Sequence, residues 1–204
     1  MATAALGACY VVLHGVSSIR IPDGTPEQMH EMNYRLFSEA LVFAKEYGIK
    51  IATETFGDVH GGERCDFFGN LDEFLTSYDR IASEGDNSEY FAVCLDTGHS
   101  NKASRFGNNP QVPHVIKALG SRIKVLHLND NDSLFDQHLI PFVGEGGYGL
   151  TGGVDWRSTF AALVEIGYRG VYNMELYLPR FGDEIINDTA AFAVKVLKNA
   201  LSKI

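Results

Sequence analysis

The sequence contains no apolar run close to the length of about 18 residues that a membrane-spanning helix requires. Its first residues, MATAALGACYVVLHG, lack the basic segment that begins a secretory signal peptide. Only three cysteines are present, Cys9, Cys65 and Cys94, and an odd number cannot form a complete disulfide framework. We therefore expect reduced thiols in a cytoplasmic protein that has no membrane partner. Nucleotide-binding motifs are also missing, since the sequence has no P-loop and no GxGxxG after its first predicted strand.

Basic residues are few and are not clustered. The chain has 17 Lys and Arg against 26 Asp and Glu, which gives a formal net charge of −9. Because an acidic protein repels phosphate backbones, this balance argues against nucleic acid as a partner. The length of 204 residues and the hydrophobic fraction of 45% suffice for one domain with a sizeable core. We expect residues 1–204 to form that single domain.

Apolar, β-branched runs alternate with amphipathic helical patterns along the chain. Strands are predicted at residues 8–15, 49–57, 90–98, 122–130 and 170–177. Helices are predicted at residues 25–48, 70–83, 110–120, 155–167 and 183–203. Such alternation indicates parallel strands joined by helical crossovers. Both a doubly wound open sheet and a (β/α)₈ barrel fit this pattern.

The helix at 25–48 has clear boundary signals. Thr25 is a predicted N-cap, Pro26 suits the first helical position, and Gln28 completes a capping box. Asn70 and Asp155 are the predicted caps of two later helices. The stripe of the first helix that we expect to face the core consists of Met29, Met32, Leu36, Ala40 and Phe43.

Each predicted strand carries an ionisable residue at or near its C-terminal end. These residues are His14, Glu54, Asp96, His127 and Glu175. In parallel α/β folds the C-terminal ends of the strands share one face, and the active site lies there. Buried carboxylates are costly unless they are paired or bind a metal ion. The pattern therefore predicts a divalent cation at this face.

The segments TETFG, CLDTGHSN, RIKVLHLNDND, DQHLIPFVGEG, VDW and NMELY occur in that order. Together they resemble the xylose isomerase-like superfamily of TIM barrels, and especially its sugar phosphate isomerase and epimerase group. The resemblance implies a metal site formed by four residues, namely Glu54, Asp96, His127 and Glu175. One imidazole and three carboxylates suit Mn²⁺, Mg²⁺, Co²⁺ or Zn²⁺. It also implies a small-molecule sugar or sugar phosphate as substrate.

The resemblance assigns chemical roles as well. Glu54 and Glu175 are the implied acid and base that move a proton beside a substrate carbonyl. A metal-assisted hydride shift, as in xylose isomerase, is the alternative. His99, in the loop expected after its strand, would face substrate or a second metal ion. The other candidate substrate contacts are His14, His138, Arg64, His60 and the backbone amides of the glycine-rich segment 144–153.

Two departures from the epimerase pattern bear on function. The segment that begins at His127 reads HLNDNDSLFDQH and lacks the arginine that helps the epimerases to bind substrate. It contains instead the pair Asp136 and His138, which resembles a zinc-binding pair of the abasic-site endonucleases in the same superfamily. A possible second metal site, and a metal-dependent phosphodiesterase activity on abasic DNA, follow as alternatives. A third alternative is an inactive barrel fragment that acts as a binding module.

The number of predicted strands is a further departure, because the barrel has eight βα units and the sequence shows about five. We expect an α/β barrel of the (β/α)₈ type that lacks its N-terminal units. Its two outer strands, those of His14 and Glu175, would expose unpaired backbone groups. Self-association into a homo-oligomer, or pairing with a missing N-terminal segment, would cover them.

Overall fold

A computed structural model describes residues 2–59, 63–144, 152–178 and 182–204. The strands are β1 (Tyr10–Leu13), β2 (Lys50–Glu54), β3 (Asp58–Val59), β4 (Arg64–Cys65), β5 (Phe91–Asp96) and β6 (Ile123–His127). The helices are α1 (Ala2–Ala5), α2 (Pro26–Glu46), α3 (Leu71–Ala82), α4 (Asn87–Tyr90), α5 (Thr97–Ala103), α6 (Val112–Leu119), α7 (Trp156–Glu165) and α8 (Asp183–Leu201). Two 3₁₀ turns cover Phe67–Gly69 and Gly120–Arg122.

The main sheet has four parallel strands in the order β1-β2-β5-β6. The spatial order therefore follows the chain order without reversal. A doubly wound sheet reverses its strand order at a switch point, whereas a barrel does not. The protein consequently has the barrel type of α/β fold, as part of a TIM barrel.

The predicted fifth strand is much shorter than expected. Beyond β6 the chain forms a single parallel bridge between Leu128 and Met174. The N–H of Leu128 donates to the carbonyl of Asn173 at 2.8 Å, and the N–H of Glu175 donates to the carbonyl of Leu128 at 3.2 Å. The prediction of a regular strand at 170–177 is wrong, because these two bonds do not extend into a ladder. The bridge still places Glu175 next to the C-terminal end of β6.

Two other sequence predictions need correction or extension. The segment after β2, expected to be a loop, contains the antiparallel pair β3–β4. The loop expected after β5 is the short helix α5, because the Asp96 side chain caps it by accepting the N–H of His99 at 2.7 Å. His99 therefore lies on a helix.

The capping box of α2 is confirmed, but its buried face is not the predicted one. Met29 is buried as expected, whereas Met32, Leu36 and Phe43 are exposed. The residues that α2 buries are Met29, Asn33, Phe37, Leu41 and Ala44. Apolar residues lie on two faces of this helix, so periodicity alone does not identify the packed one. Packing of the Phe37 ring against that of Phe91, 5.1 Å away, occurs on the face that periodicity did not select.

The core lies between the sheet and the surrounding helices and includes the single tryptophan, Trp156, which is fully buried. At the open side of the sheet, every residue of β1 is partly exposed. Among the described residues, β1 has a strand neighbour on one side only. In the part of the chain that the structure describes, no helix combines the length and apolar character needed to span a bilayer.

Candidate metal centre

Four of the five strand-end residues converge on one point. Glu54, Asp96 and His127 are the last residues of β2, β5 and β6, which are neighbours in the sheet. Glu175 joins them through the bridge beside Leu128. Each residue of this group offers one ligand atom, and the four atoms all lie within 4.8 Å of one another. We call Glu54, Asp96, His127 and Glu175 the first group.

His127 has an imidazole nitrogen that the protein leaves without a hydrogen bond. Nδ1 of His127 lies 3.3 Å from a Glu54 oxygen and 2.9 Å from a Glu175 oxygen. Neither contact has hydrogen-bond geometry, and this buried nitrogen has no hydrogen-bond partner among the described residues. An imidazole nitrogen that lies between two carboxylates, without a hydrogen bond to either, is an arrangement that fits a divalent cation.

The ionisation of the first group reflects its excess of carboxylates. Burial raises the pKa of Glu54, but the adjacent imidazoles of His127, His14 and His99 outweigh it and hold that pKa well below its ordinary value. Burial also raises the pKa of Asp96, which is fully buried. Burial lowers the pKa of His127, but Glu54 and Glu175 reverse this effect and raise it. Without a metal ion, protonated imidazoles supply the positive charge that these carboxylates need.

A second group lies beside the first and consists of His99, Asp136 and His138, whose ligand atoms also lie within 4.8 Å of one another. Nε2 of His99 is 3.6 Å from one oxygen of Asp136, and Nε2 of His138 is 3.4 Å from the other. Burial lowers the pKa of His99, but Asp96, Asp136 and Glu54 reverse this and raise it well above its ordinary value. The pair predicted from the D-x-H motif is therefore assembled with His99.

Backbone carbonyls orient both imidazoles of the second group. Nδ1 of His99 lies 3.0 Å from the carbonyl of Thr55, and Nδ1 of His138 lies 3.1 Å from that of Glu175. A carbonyl only accepts, so each Nδ1 donates and each Nε2 is directed to the group. Metal-binding histidines in proteins commonly show this pattern, with the second nitrogen donating to a carbonyl.

His14 lies at the open side of the first group. Its Nε2 is 3.1 Å from a Glu54 oxygen, and 54% of its side chain is exposed. Phe56, which the sequence did not single out, packs between two imidazoles: its ring centroid is 5.2 Å from that of His14 and 5.0 Å from that of His99. The Phe56 ring is therefore an apolar surface between two imidazoles that contact the Glu54 carboxylate.

Arg64 is not brought to either group. Its guanidinium donates to the carbonyls of Pro22, at 2.7 Å, and Ser18, at 3.4 Å. A substrate contact from Arg64 stays a prediction. His60 and residues 145–151 of the glycine-rich segment lie outside the described residues.

Asn129 positions the Asp96 carboxylate and was missed by the sequence analysis. Its amide nitrogen donates to one Asp96 oxygen at 2.7 Å, while the N–H of His99 donates to the other at 2.7 Å. Asn129 and Asp96 are both fully buried. The signal in the sequence is an amide residue two positions after the candidate ligand His127, just beyond the end of β6.

Asp130, the next residue, holds together several segments around the second group. Its buried carboxylate accepts the N–H groups of Asn131, Gly144 and Val154 and the indole N–H of Trp156, at distances of 2.8–3.0 Å. Its own backbone pairs with Leu139 in an antiparallel bridge. The Asp130 carboxylate therefore holds both ends of the loop that carries Asp136 and His138, at Asn131 and at Gly144.

Gly98 is required by this packing, and we expect the change Gly98→Ala to lower the free energy of unfolding by about 1–3 kcal/mol. An added Cβ would lie 1.9 Å from Oδ1 of Asn129 and 2.9 Å from Nδ2 of Asn131. Both asparagines are fully buried and cannot move aside. Denaturant unfolding followed by the fluorescence of Trp156 measures the effect.

The matched test is the same change in an Asn129→Ala background. The Asn129→Ala change removes the amide oxygen that would lie closest to the added methyl group. Gly98→Ala should therefore lower the free energy of unfolding clearly less in this background than in the wild type. An equal cost in both backgrounds would show that Asn129 is not the residue that excludes a side chain at position 98.

Parallel strands in chain order, with carboxylates and imidazoles at their C-terminal ends, define an α/β barrel protein with a candidate metal centre. Residues 2–199 match the family model described as Xylose isomerase-like TIM barrel. The chain belongs to this family. An uncharacterized protein from Methanocaldococcus jannaschii is 30% identical over 143 residues, which are 70% of this chain and 42% of that protein.

Another uncharacterized protein, from Sinorhizobium fredii, is 28% identical over 87% of this chain and 50% of its own length. The chain thus spans about half the length of these curated relatives. Solved structures confirm the fold. A D-tagatose 3-epimerase-like protein has a TM-score of 0.69 at 22% identity, over 98% of this chain and 66% of its own. An IOLI protein with a bound zinc atom has a TM-score of 0.72 at 20% identity, with the same coverage.

Proposed function

We propose that the protein is a metal-dependent sugar or sugar-phosphate isomerase or epimerase, and that the first group binds its divalent cation. The observation that carries the proposal is the convergence of Glu54, Asp96, His127 and Glu175 from separate strand ends. Nδ1 of His127 has no hydrogen-bond partner among the described residues. Together with the three carboxylates it forms a set of donor atoms that fits a divalent cation. These ligand types accept Mn²⁺, Mg²⁺, Co²⁺ or Zn²⁺.

Proton transfer beside a carbonyl is the chemistry that these residues suit. A cation bound here would polarise the substrate carbonyl and favour the negative charge that develops on its oxygen. Glu175, whose side chain is 46% exposed, is open to substrate and would accept the proton from the adjacent carbon. The C–H electron pair would then form the carbon–carbon double bond of an enediolate. Glu54, at the end of β2, is the second carboxylate of the first group, and its protonated form would return a proton to carbon.

The remaining residues would bind and orient the sugar. His14, half exposed beside Glu54, and His138, from the second group, would contact hydroxyl groups. Structural neighbours of the barrel include an L-ribulose 3-epimerase and a D-psicose 3-epimerase, which supports a ketose as the substrate. The second group is a possible second metal site.

We further propose that residues 1–204 form one domain, and that a second copy or an N-terminal βα segment covers β1.

The experiment is metal analysis of the purified protein, followed by assays with each candidate cation. Ketoses and ketose phosphates are incubated in deuterated water, and NMR detects loss of the C–H signal next to the carbonyl. We expect at least one tightly bound divalent cation per chain and metal-dependent exchange with at least one sugar. Conversion without deuterium incorporation would indicate a hydride shift instead. The isomerase proposal would be refuted if the protein produced neither exchange nor conversion of any sugar with any of the cations.

A second candidate is a metal-dependent phosphodiesterase acting on abasic DNA. The observation that favours it is the second group, in which Asp136, His138 and His99 lie together. The net charge of −9 opposes it. Cleavage of an oligonucleotide with an abasic site, measured alongside the sugar assays, distinguishes the two. A metal-loaded protein inactive in both assays would favour the third alternative, a binding module. The cytoplasmic location stays a prediction.

A further inference from the structure

Cys94 is a free thiol that lies one step along β5 from the candidate metal centre. It precedes Asp96 by two residues, so both side chains are on the same face of the sheet. The residue has an exposed fraction of 0% and packs with two alanines, Ala52 and Ala92. A free cysteine fills such a place as a small apolar residue would, and its reactivity, including metal binding, is what distinguishes it from alanine. The position of its sulfur relative to the first group therefore bears on function.

A shift in the pairing of β5 with β6 places His127 on the same face as this thiol. The register changes between Val93 and Cys94, and beyond this point Cys94 pairs with Val125 and Asp96 pairs with His127. Because a change of one residue moves a side chain to the opposite face, His127 would point away from Asp96 without this shift. Irregularities of this kind occur next to active sites, where they re-aim a side chain. The same shift therefore brings the imidazole to both Asp96 and Cys94.

Cys94, Glu54 and His127 form a further set of possible ligand atoms, which we call the thiol set. Sγ of Cys94, a carboxylate oxygen of Glu54 and a ring nitrogen of His127 all lie within 4.8 Å of one another. Cys94 is also the pairing partner of Glu54 between β5 and β2. Glu54 and His127 belong to the first group as well, whereas Asp96 and Glu175 are outside the thiol set. The two sets of ligand atoms therefore overlap at one carboxylate and one imidazole.

This overlap offers a divalent cation two alternative sets of donors. The first group supplies three carboxylates and an imidazole, which suit hard cations such as Mg²⁺ and Mn²⁺. The thiol set supplies sulfur, nitrogen and oxygen, which suit Zn²⁺ and Co²⁺. Three protein ligands leave the fourth position of a tetrahedral cation open to water or substrate, as in catalytic zinc sites. The thiol set is therefore sufficient for a catalytic cation as well.

We infer that Cys94 makes the candidate metal centre selective for a thiophilic divalent cation, Zn²⁺ or Co²⁺, which the sulfur binds together with Glu54 and His127. The inference rests on the proposed function and narrows the cation of that site. The thiol releases its proton to solvent as the sulfur–metal bond forms, and the thiolate and the Glu54 carboxylate together offset the two charges of the cation. Glu175 is outside the thiol set and stays free to accept the substrate proton.

The test is the absorption spectrum of the full chain loaded with Co²⁺. A bond between Co²⁺ and a thiolate gives an intense charge-transfer band in the near ultraviolet, which oxygen and nitrogen ligands do not give. We expect this band in the wild type and its loss in Cys94→Ser, which keeps the size of the side chain but removes the sulfur. Cys65→Ser is the matched control and should retain the band, because Cys65 is a partly buried cysteine of β4 that belongs to none of the ligand sets.

Cation affinities provide a second readout. Competition with a chromophoric chelator measures the affinities for Zn²⁺ and Mn²⁺ in the wild type and in Cys94→Ser. We expect the change to weaken Zn²⁺ binding about ten- to a hundredfold and to leave Mn²⁺ binding within about twofold. An equal loss for both cations would mean that Cys94 only supports the packing of the site, and would overturn the inference. Unchanged Zn²⁺ affinity would overturn it too.

The spectrum of the wild type separates this inference from the proposed function. A wild-type protein that binds Co²⁺ without a charge-transfer band would overturn the role of Cys94 and leave the isomerase proposal intact. That result needs no variant, so it is valid even if Cys94→Ser fails to fold. Retention of the band in Cys94→Ser, or its loss in Cys65→Ser, would also overturn the inference. A band that depends on Cys94, in a protein without any C–H exchange or sugar conversion, would support the inference and refute the isomerase proposal alone.

Discussion

Replacing Glu175 by Gln is expected to slow C–H proton exchange about 10²- to 10⁴-fold while the protein remains folded. Glutamine retains the shape and one coordinating oxygen of glutamate but cannot accept the proton. The Glu175 side chain is 46% exposed and glutamine has the same size, so the substitution neither creates a cavity nor buries a new polar group. NMR in deuterated water at saturating metal measures the exchange rate, and denaturant unfolding followed by Trp156 fluorescence measures the stability.

The matched control is Glu165→Gln on α7. Glu165 is also an exposed glutamate; it pairs with Lys117 of α6 and belongs to neither group. This variant should exchange at the wild-type rate. Wild-type exchange by Glu175→Gln would remove Glu175 from the acid–base role and leave Glu54 as the candidate. If Glu175→Gln loses both its bound metal and its exchange activity, Glu175 acts mainly as a metal ligand.

The second large effect is expected from His127→Ala, which should weaken binding of the divalent cation by at least about 100-fold. Mutating a residue that only hydrogen-bonds to a metal ligand typically lowers metal affinity about 10- to 100-fold, and His127→Ala removes a proposed ligand itself. Competition with a chromophoric chelator measures the affinity. His114→Ala on α6, outside both groups, is the control and should bind metal as the wild type does. Stoichiometric metal at unchanged affinity in His127→Ala would contradict the assignment.

The pH dependence of metal binding tests the same residue in the wild type. The carboxylates raise the pKa of His127 above 6.5, its ordinary value, so protons compete with the cation at higher pH than for an isolated imidazole. Metal affinity should therefore rise with pH through this raised pKa and level off above it. Folding of the metal-free protein has the opposite dependence: stability from the protonated imidazole is present at low pH and is lost as pH rises through that pKa.

The ligand candidates were predictable from the sequence because each follows an apolar run. Glu54, Asp96 and His127 each end a strand of a parallel sheet, and the sheet itself brings such ends together. Their spacing along the chain does not matter, since the fold supplies the proximity. The caps at Thr25, Asn70 and Asp155 were predictable for a similar reason, because a cap depends on residues within one turn.

Features that depend on distant packing were not predictable. Asn129 reads as an ordinary polar residue after a strand, and its contact with Asp96 spans 33 positions of the chain. The buried face of α2 is decided by Phe37 against Phe91, 54 residues later, whereas Phe43 carries the same local apolar signal and is exposed. The strand predicted at 170–177 has the right composition, but composition does not determine how many ladder bonds form.

The carboxylate of Asp130 has a consequence for local unfolding. It joins the loop of Asp136 and His138 to the start of α7 through four N–H donors, from Asn131, Gly144, Val154 and Trp156. Opening any one of these segments removes donors from a fully buried charge, so the others lose their stabilisation at the same time. We therefore expect these segments to form one cooperative unit of hydrogen exchange. In such a unit the amides of Gly144 and Val154, which are ten positions apart, would exchange with solvent through a single opening reaction.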